Sequence, residues 1–418
     1  MVHPYDIFKS AVMSLTANRG RSALTILGVI IGIVSIMIVM SVGGSAEGLI
    51  KKEIQSFGAE NVFINPGKPS DGLLSFQGQS SAILLKTLVE KDVEDIKRKS
   101  NVPDAVRVNP SVTGSFTLSY ESETITSATI GTGAAGFSIY NLSAAKGRVF
   151  TDEEVEGKAA VVVLGKNIVK ELFGSEEANP VGERIKIKNK SFRVIGVFSY
   201  IGSAMFGIDD MAMIPYTTAQ EYLLGIRHFH EIAVQAQSAE AVPRMVTDIK
   251  RTIRDNHDIE IGDEDDFIVS TQEDMIDMIN SVLGAVTVFL AFVAAISLLV
   301  GGVGVMNIMF VSVTERTREI GLRKSLGATN GDILKQFLIE SVLLTGGGGV
   351  IGVLGGTILT YLVTVIASFA LGTEFPFVFS VGGMILGLAV SGIIGLFFGI
   401  FPAYQASKKS PIEALRYE

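Results

Sequence analysis

Few side chains in this sequence are arranged for covalent chemistry. It contains no cysteine, which removes thiolate nucleophiles, cysteine metal sites and disulfides together. Of four histidines (His3, His228, His230 and His257), two stand together as His228-Phe229-His230. That spacing puts both imidazoles on one side of a strand and makes half a metal site, but no third ligand lies nearby and no metal is expected. Gly131-Thr-Gly-Ala-Ala-Gly136 satisfies the dinucleotide pattern GxGxxG. A strand-like run precedes it, yet no convincing crossover helix follows, so nucleotide binding is not expected. Gly165-Lys166 imitates the end of a phosphate loop, with Ala160 for the first glycine and Asn167 for the Ser/Thr, and no other GxxxxGK[ST] occurs. No catalytic residue, bound cofactor or ATPase site is predicted in this sequence. If ATP drives it, ATP and magnesium belong to another chain.

The residues best placed to act do so by contact. They lie in the basic stretch Glu315-Arg-Thr-Arg-Glu-Ile-Gly-Leu-Arg-Lys-Ser-Leu-Gly-Ala-Thr-Asn-Gly-Asp-Ile-Leu-Lys-Gln-Phe-Leu-Ile-Glu-Ser341, between two long apolar runs. Read as a helix, Ile320, Arg323, Lys324 and Leu326 give an apolar edge beside basic side chains. Gly327 stops that helix, and Thr329 with Asp332 restarts another as a capping box. Such a helix–elbow–helix could be pushed by a cytosolic partner and move two transmembrane helices together. It could equally be a juxtamembrane basic loop that fixes orientation and touches anionic lipid headgroups.

Apolar runs must position this stretch. The chain is 48% hydrophobic and 19% charged over 418 residues, and its mean hydropathy of +0.42 fits an integral membrane protein with a sizeable aqueous part. Residues 1–21 read as an amphipathic interfacial helix with Tyr5, Phe8, Val12 and Leu15 in one stripe. The first transmembrane helix covers 22–43; Ala23–Val42 is free of charge and longer than a signal-peptide core, so it reads as a retained anchor. An extracytoplasmic domain of 44–281 follows, with stalk helices at both ends. Then come a second span at 282–313, the basic segment at 314–336, a third span at 337–370, an outer loop at 371–377, a fourth span at 378–404 and a tail at 405–418. Eleven Lys/Arg against seven acids fall on the tail side of these spans, whereas the large domain carries a net −11 within a chain total of −8. The positive-inside rule therefore puts both termini inside and the large domain outside.

Inside that domain, Asn61–Asn65 reads as a strand and Pro66–Ser81 as a mobile Gly/Ser/Pro tract. Thr87 opens a helix with Glu90 at the capping-box position, and Val89, Val93 and Ile96 face a core. Val106–Ser119, Glu231–Gln237 and Phe267–Ser270 read as strands and Val242–Asp255 as a helix, giving a strand–helix–strand unit on each flank. The insert between them, about Glu121 to Tyr222, is strand-rich, with Ala159–Leu164, Arg184–Lys188 and Phe192–Phe198 as strands.

The spans hold no Asp, Glu, Lys, Arg or His in their cores, which argues against an ion-coupled carrier. They carry small residues four apart: Gly28/Gly32, Gly348/Gly352/Gly356 and Gly383/Gly387/Ser391/Gly395/Gly399. Such ladders let helix backbones approach closely in lipid. Four spans per chain make a homodimer the natural assembly. Nothing points to nucleic acid.

Three tracts resemble the FtsX/MacB-type ABC transporter permeases: Asn18–Gly32, the basic stretch with its Glu-Arg-Thr-Arg-Glu-Ile-Gly-Leu-Arg-Lys and Leu-Gly-Ala, and Phe401–Arg416. Val194–Phe198 and Asp209–Gln220 fit the same family. The resemblance implies an α-helical membrane protein with four transmembrane helices and a large α/β extracytoplasmic domain, a porter-like subdomain with a second subdomain inserted. It also implies that the basic stretch couples the permease to an ATPase subunit. Glu315, Arg316, Arg318, Glu319 and Arg323 are then expected to make the polar contacts, and Ile320 and Leu326 to fill apolar pockets. In MacB itself the ATPase is fused to the permease, from which this sequence departs. Two functions are consistent with this. One is a MacB-type exporter, a homodimer with a separate ATPase and a membrane-fusion adaptor, expelling an antibiotic, peptide or lipid-like molecule. The other is a non-exporting mechanotransmitter for lipoprotein release or control of a cell-wall hydrolase.

Overall fold

The computed structural model describes residues 19–56, 58–68, 85–200, 207–371 and 375–416. The amphipathic reading of 1–21 and most of the Pro66–Ser81 tract lie outside them. The chain divides into two compact units: the second is residues 50–279, and the first is the segments before and after them.

The described chain opens with the helix α1 (Arg19–Ser56). The second unit then builds β1 (Asn61–Pro66), α2 (Glu90–Lys97), β2 (Ala105–Tyr120), β3 (Glu123–Thr132), α3 (Ala135–Ile139) and β4 (Leu142–Gly147). It continues with α4 (Asp152–Glu156), β5 (Val161–Leu164), α5 (Lys166–Phe173), β6 (Arg184–Ile187), β7 (Lys190–Tyr200) and β8 (Met211–Pro215). It closes with β9 (Glu231–Ala236), α6 (Val242–Asn256) and β10 (Phe267–Thr271). The strands form one sheet in the order β10-β1-β9-β2-β3-β8-β5-β7-β4, with β6 pairing β2 and β7. The two expected strand–helix–strand flanks are therefore β1-α2-β2 and β9-α6-β10, and the insert is β3 to β8.

β2 joins flank to insert. Its first half pairs antiparallel with β9 from Ala105 to Ser111, and its second half with β3 from Ser111 to Tyr120. One core lies under both halves, with Val62, Ile64, Val112, Leu118, Phe192, Ile232 and Val234 fully buried. α6 seals it with Met245, Ile249, Thr252 and Ile253, one stripe at helical spacing. Truncating Met245 or Ile249 to alanine would cost about 2–5 kcal/mol.

α2 differs from expectation at its start. Its cap is Val89, whose N–H donates to Asp92 Oδ2 at 2.8 Å. Thr87 is not the cap, because its hydroxyl donates to Asp266 O at 3.3 Å. Val89, expected in the core, is 37% exposed, while Val93 and Ile96 are buried.

After β10 come α7 (Gln272–Glu315), α8 (Thr317–Ser325), α9 (Asn330–Leu371), α10 (Val381–Lys408) and α11 (Pro411–Arg416). α1, α7, α9 and α10 are long and apolar enough to cross a membrane. The 44 residues of α7 extend about 66 Å, twice a bilayer's hydrocarbon core. α10 starts later than expected: Ser380 caps it, its Oγ accepting from Gly383 N at 3.0 Å.

Candidate coupling site

The site is built where α7 turns into α8 and α8 into α9. At Arg316 (φ −96°, ψ 12°) the helix breaks for one residue, while Arg316 N still donates to Ser312 O and Ile320 N to Arg316 O, both at 3.0 Å. Just past the cap of α8 at Leu326, Gly327 has a φ of +98°, a left-handed turn that a Cβ would strain. Ala328 N reaches back to Arg323 O at 3.0 Å. The next helix opens as the expected capping box: Thr329 N donates to Asp332 Oδ2 at 3.0 Å and Asp332 N to Thr329 Oγ1 at 3.2 Å.

α8 has a closed side and an open side. On the closed side, Thr317, Ile320 and Gly321 are buried. Ile320 is 1% exposed and belongs to the same core as Val313, Ile333, Phe337, Ala403 and Ala406. It therefore cannot fill a partner's pocket as expected; it holds α8 on its own bundle. Arg316 also points inward, its Nη1 3.3 Å from both carboxylate oxygens of Glu340, which is 1% exposed. Arg323 donates to Gln336 Oε1 at 2.9 Å and pairs with Glu319. Lys324 Nζ donates to Ser407 O at 2.6 Å and Lys409 O at 2.8 Å. Arg316 and Arg323 are thus engaged inside the chain, contrary to a purely outward role.

The open side carries Glu315, Arg318, Glu319, Leu322 and Leu326. Leu322 is 54% and Leu326 81% exposed. With Arg318 they stand four residues apart along one helix face. Leu326 is exposed while Ile320 is buried, so the single apolar edge expected from the sequence is divided between the open and the closed side. Leu322 was missed, although its i+4 relation to Arg318 and Leu326 was the signal that could have found it.

The expected glycine ladders are real contacts. A Cβ on Gly28 would lie 3.0 Å from Gly301 Cα, and on Gly32 2.5 Å from Leu298 Cγ, so both seat α1 on α7. Gly348, Gly352 and Gly356 of α9 face Val29, Ile33 and Met37 of α1. Along α10 the partner changes: Gly383 and Gly387 face Met40 and Ile33 of α1, while Gly395 and Gly399 face Thr345 and Ser341 of α9.

The remaining motifs are occupied by the fold itself. Gly131 is packed against Val112 and Ala219, Gly133 N donates to Asn109 Oδ1 at 2.9 Å, and Gly136 abuts Thr132. The five-residue α3 begins inside the motif, at Ala135, and is too short for a phosphate-binding crossover helix. At Gly165 the amide donates to Met211 O at 2.9 Å and a Cβ would strike Asp209 O, so no phosphate cradle is open there. His228 and His230 precede β9 and are not within a strand; their ring centroids are 5.6 Å apart. His230 Nδ1 accepts from Thr113 N at 3.0 Å, and burial lowers the pKa of both imidazoles. Among the described residues no group of three or more His, Cys, Asp or Glu is placed to hold a metal.

Residues 22–252 match the MacB-like periplasmic core domain and residues 291–411 the FtsX-like permease C-terminal domain. This chain belongs to the MacB/FtsX-type ABC transporter permeases. The MacB-type fold accordingly has four transmembrane helices, with the α/β extracytoplasmic domain between the first and second. Among its relatives, the macrolide export ATP-binding/permease protein MacB of Bdellovibrio bacteriovorus is 35% identical over 408 residues, 97% of this chain and 60% of that protein. The protein of that name from Chlorobium luteolum is 36% identical over 411 residues, 98% of this chain and 60% of its own. The permease thus spans about three fifths of the length of these relatives. It is also similar to the periplasmic region of MacB from Actinobacillus actinomycetemcomitans, at 21% identity and a TM-score of 0.45, over 55% of this chain and 96% of that one.

Proposed function

We propose that this chain is the permease subunit of an ATP-driven MacB-type export system. It transmits work from a cytosolic ABC ATPase, which holds ATP and magnesium, to the aqueous domain. The observation that carries this reading is the two-sided α8. Its open face of Arg318, Glu319, Leu322 and Leu326 suits a protein groove, while its closed face is tied to α9 and α10 by Ile320, Arg316, Arg323 and Lys324. A lipid anchor needs only charge; it does not need a helix whose other side is fixed to its own bundle.

The termini and the elbow are cytoplasmic in this reading, and the acidic domain is outside, as the distribution of Lys and Arg favours. The working assembly is a homodimer of eight spans with a membrane-fusion adaptor on the outer domain. The relatives bear macrolide export in their names, so an amphipathic antibiotic is the first substrate class to test, ahead of peptides and lipid-like molecules. Deletion of the gene tests the reading. Export predicts a fall in the tolerated macrolide concentration with normal cell separation. Unchanged tolerance with chained cells or mislocalised lipoproteins would instead indicate a non-exporting mechanotransmitter.

A further inference from the structure

The closed side of α8 is packed on a segment to which no role has been given, the short helix α11 after the last span. Gly321 sits against it so closely that a Cβ there would lie 2.7 Å from Ala414 Cβ and 3.4 Å from Pro411 O. Ala414 is 1% exposed. One turn further along α8, Lys324 reaches the end of α10 and donates to Ser407 O and Lys409 O. An ammonium on the last carbonyls of a helix satisfies groups that have no intrahelical donor and opposes the negative end of the helix dipole. Ala403, Ala406 and Ser407 are buried beneath it. α8 is therefore joined to α9 by Arg316–Glu340 and Arg323–Gln336, and to α10 and α11 by Lys324 and the Gly321–Ala414 seat.

We propose that α11 braces α8, with Gly321 and Lys324 as positioning residues, so that a push on α8 moves α10 together with α7 and α9. Without the brace, Ile320 and the Arg316 and Arg323 bonds would still seat α8 on the bundle, but its direct tie to the end of α10 would be lost and a push on α8 would reach the fourth span less completely. This rests on the reading of α8 as the ATPase-docking helix, but the brace itself can be measured without an ATPase. Alanine at Gly321 is not a helix breaker, so its effect reports the seat and not the helix.

The chain lacks cysteine, so spin labels can be placed at Ser325→Cys on α8 and Ile412→Cys on α11, both exposed. Pulsed electron paramagnetic resonance on the full chain in lipid nanodiscs should give one narrow distance. Gly321→Ala should lose that narrow component, and adding Ala414→Gly should restore it, because the second change removes the methyl that the first one strikes. Lys324→Met, which keeps the side chain's length and loses both hydrogen bonds, should broaden the distribution independently. An unchanged narrow distance in Gly321→Ala and in Lys324→Met would overturn the brace. Co-purification of an ABC ATPase with the tagged chain from its own host separates the two ideas. If no ATPase binds even the unaltered chain while the distances respond as described, the docking reading fails and the brace stands.

Discussion

Leu322 and Leu326 expose 54% and 81% of their surface beside Arg318, on a helix whose other side is closed by Ile320. A carboxylate at Ile320 would be buried without a partner, which costs several kcal/mol. Ile320→Asp should therefore lower the thermal stability of the detergent-solubilised chain, while Ile320→Val should cost only about 0.5–1.5 kcal/mol. A normal melting temperature for Ile320→Asp would show that the side chain is not buried. A second residue-scale test concerns His257, whose Nδ1 lies 2.7 Å from Asp266 Oδ1 and Nε2 3.2 Å from Asp92 Oδ2. Asp92 also accepts from Asn256, and the Phe267 ring stands edge-on to the imidazole. The hydrogen bond that His257 donates to the Asp92 carboxylate, against an opposing burial effect, raises the His257 pKa from 6.5 to about 9. Because the folded value lies above the unfolded one, the stabilisation is complete below about pH 6.5 and is lost as pH rises through about 9. Unfolding of the aqueous domain should become easier across that window, and His257→Gln should flatten the dependence; an unaltered pH profile in that variant would count against the clamp. His257 carried no sequence signal, since its two carboxylates come from 165 and 9 residues away. The basic stretch was legible because charges between apolar runs are conspicuous. Which side of it faced the bundle was not, because helical periodicity fixes faces only relative to one another.

The helices show what an element can reveal by composition. The four spans were readable because long charge-free runs admit few other structures, and the ladders because small residues recur at one helix pitch. The switch of partner along α10 was not readable, as the sequence gives spacing but not neighbours. That switch makes a prediction. A Cβ at Gly395 would meet Thr345 Oγ1, and 2.9 Å away Val342 Cα, while Gly392 has nothing within 4 Å. Gly395→Ala should lower the stability of the membrane unit, read as the urea or heat midpoint in detergent. Gly392→Ala should be neutral or slightly stabilising through helix propensity, by up to about 1 kcal/mol. Equal effects of the two would remove the claim that the ladder is a set of close contacts. The α2 cap illustrates the opposite limit. Thr87/Glu90 and Val89/Asp92 have the same spacing, and only the distant Asp266 carbonyl, which takes the Thr87 hydroxyl, decides between them. β2 is similar: its alternation marked a strand, but its change of partner at Ser111 depends on chain far away in sequence.

At the scale of the molecule, residues 50–279 contain their own sheet and core. Produced alone, they should be soluble and monomeric with mixed α/β circular dichroism; recovery only in detergent would contradict that. Orientation can be read in the same cysteine-free background. An impermeant thiol reagent applied to intact cells should label Ser175→Cys and spare Asn330→Cys, and the reverse pattern would invert the topology. The central claim is that α8 receives force from an ATPase through its open face. Leu322→Asp tests it most directly, because Leu322 is exposed and its replacement leaves the Ile320 seat and the Arg316, Arg323 and Lys324 bonds in place. The measurement is co-purification of an ABC ATPase with the tagged chain from its own host. The account predicts normal membrane insertion and melting temperature with loss of the ATPase, and weakened retention in Arg318→Lys, where the planar guanidinium is lost but the charge is kept. Full retention of the ATPase in Leu322→Asp, with loss only when net positive charge is removed from the stretch, would contradict it.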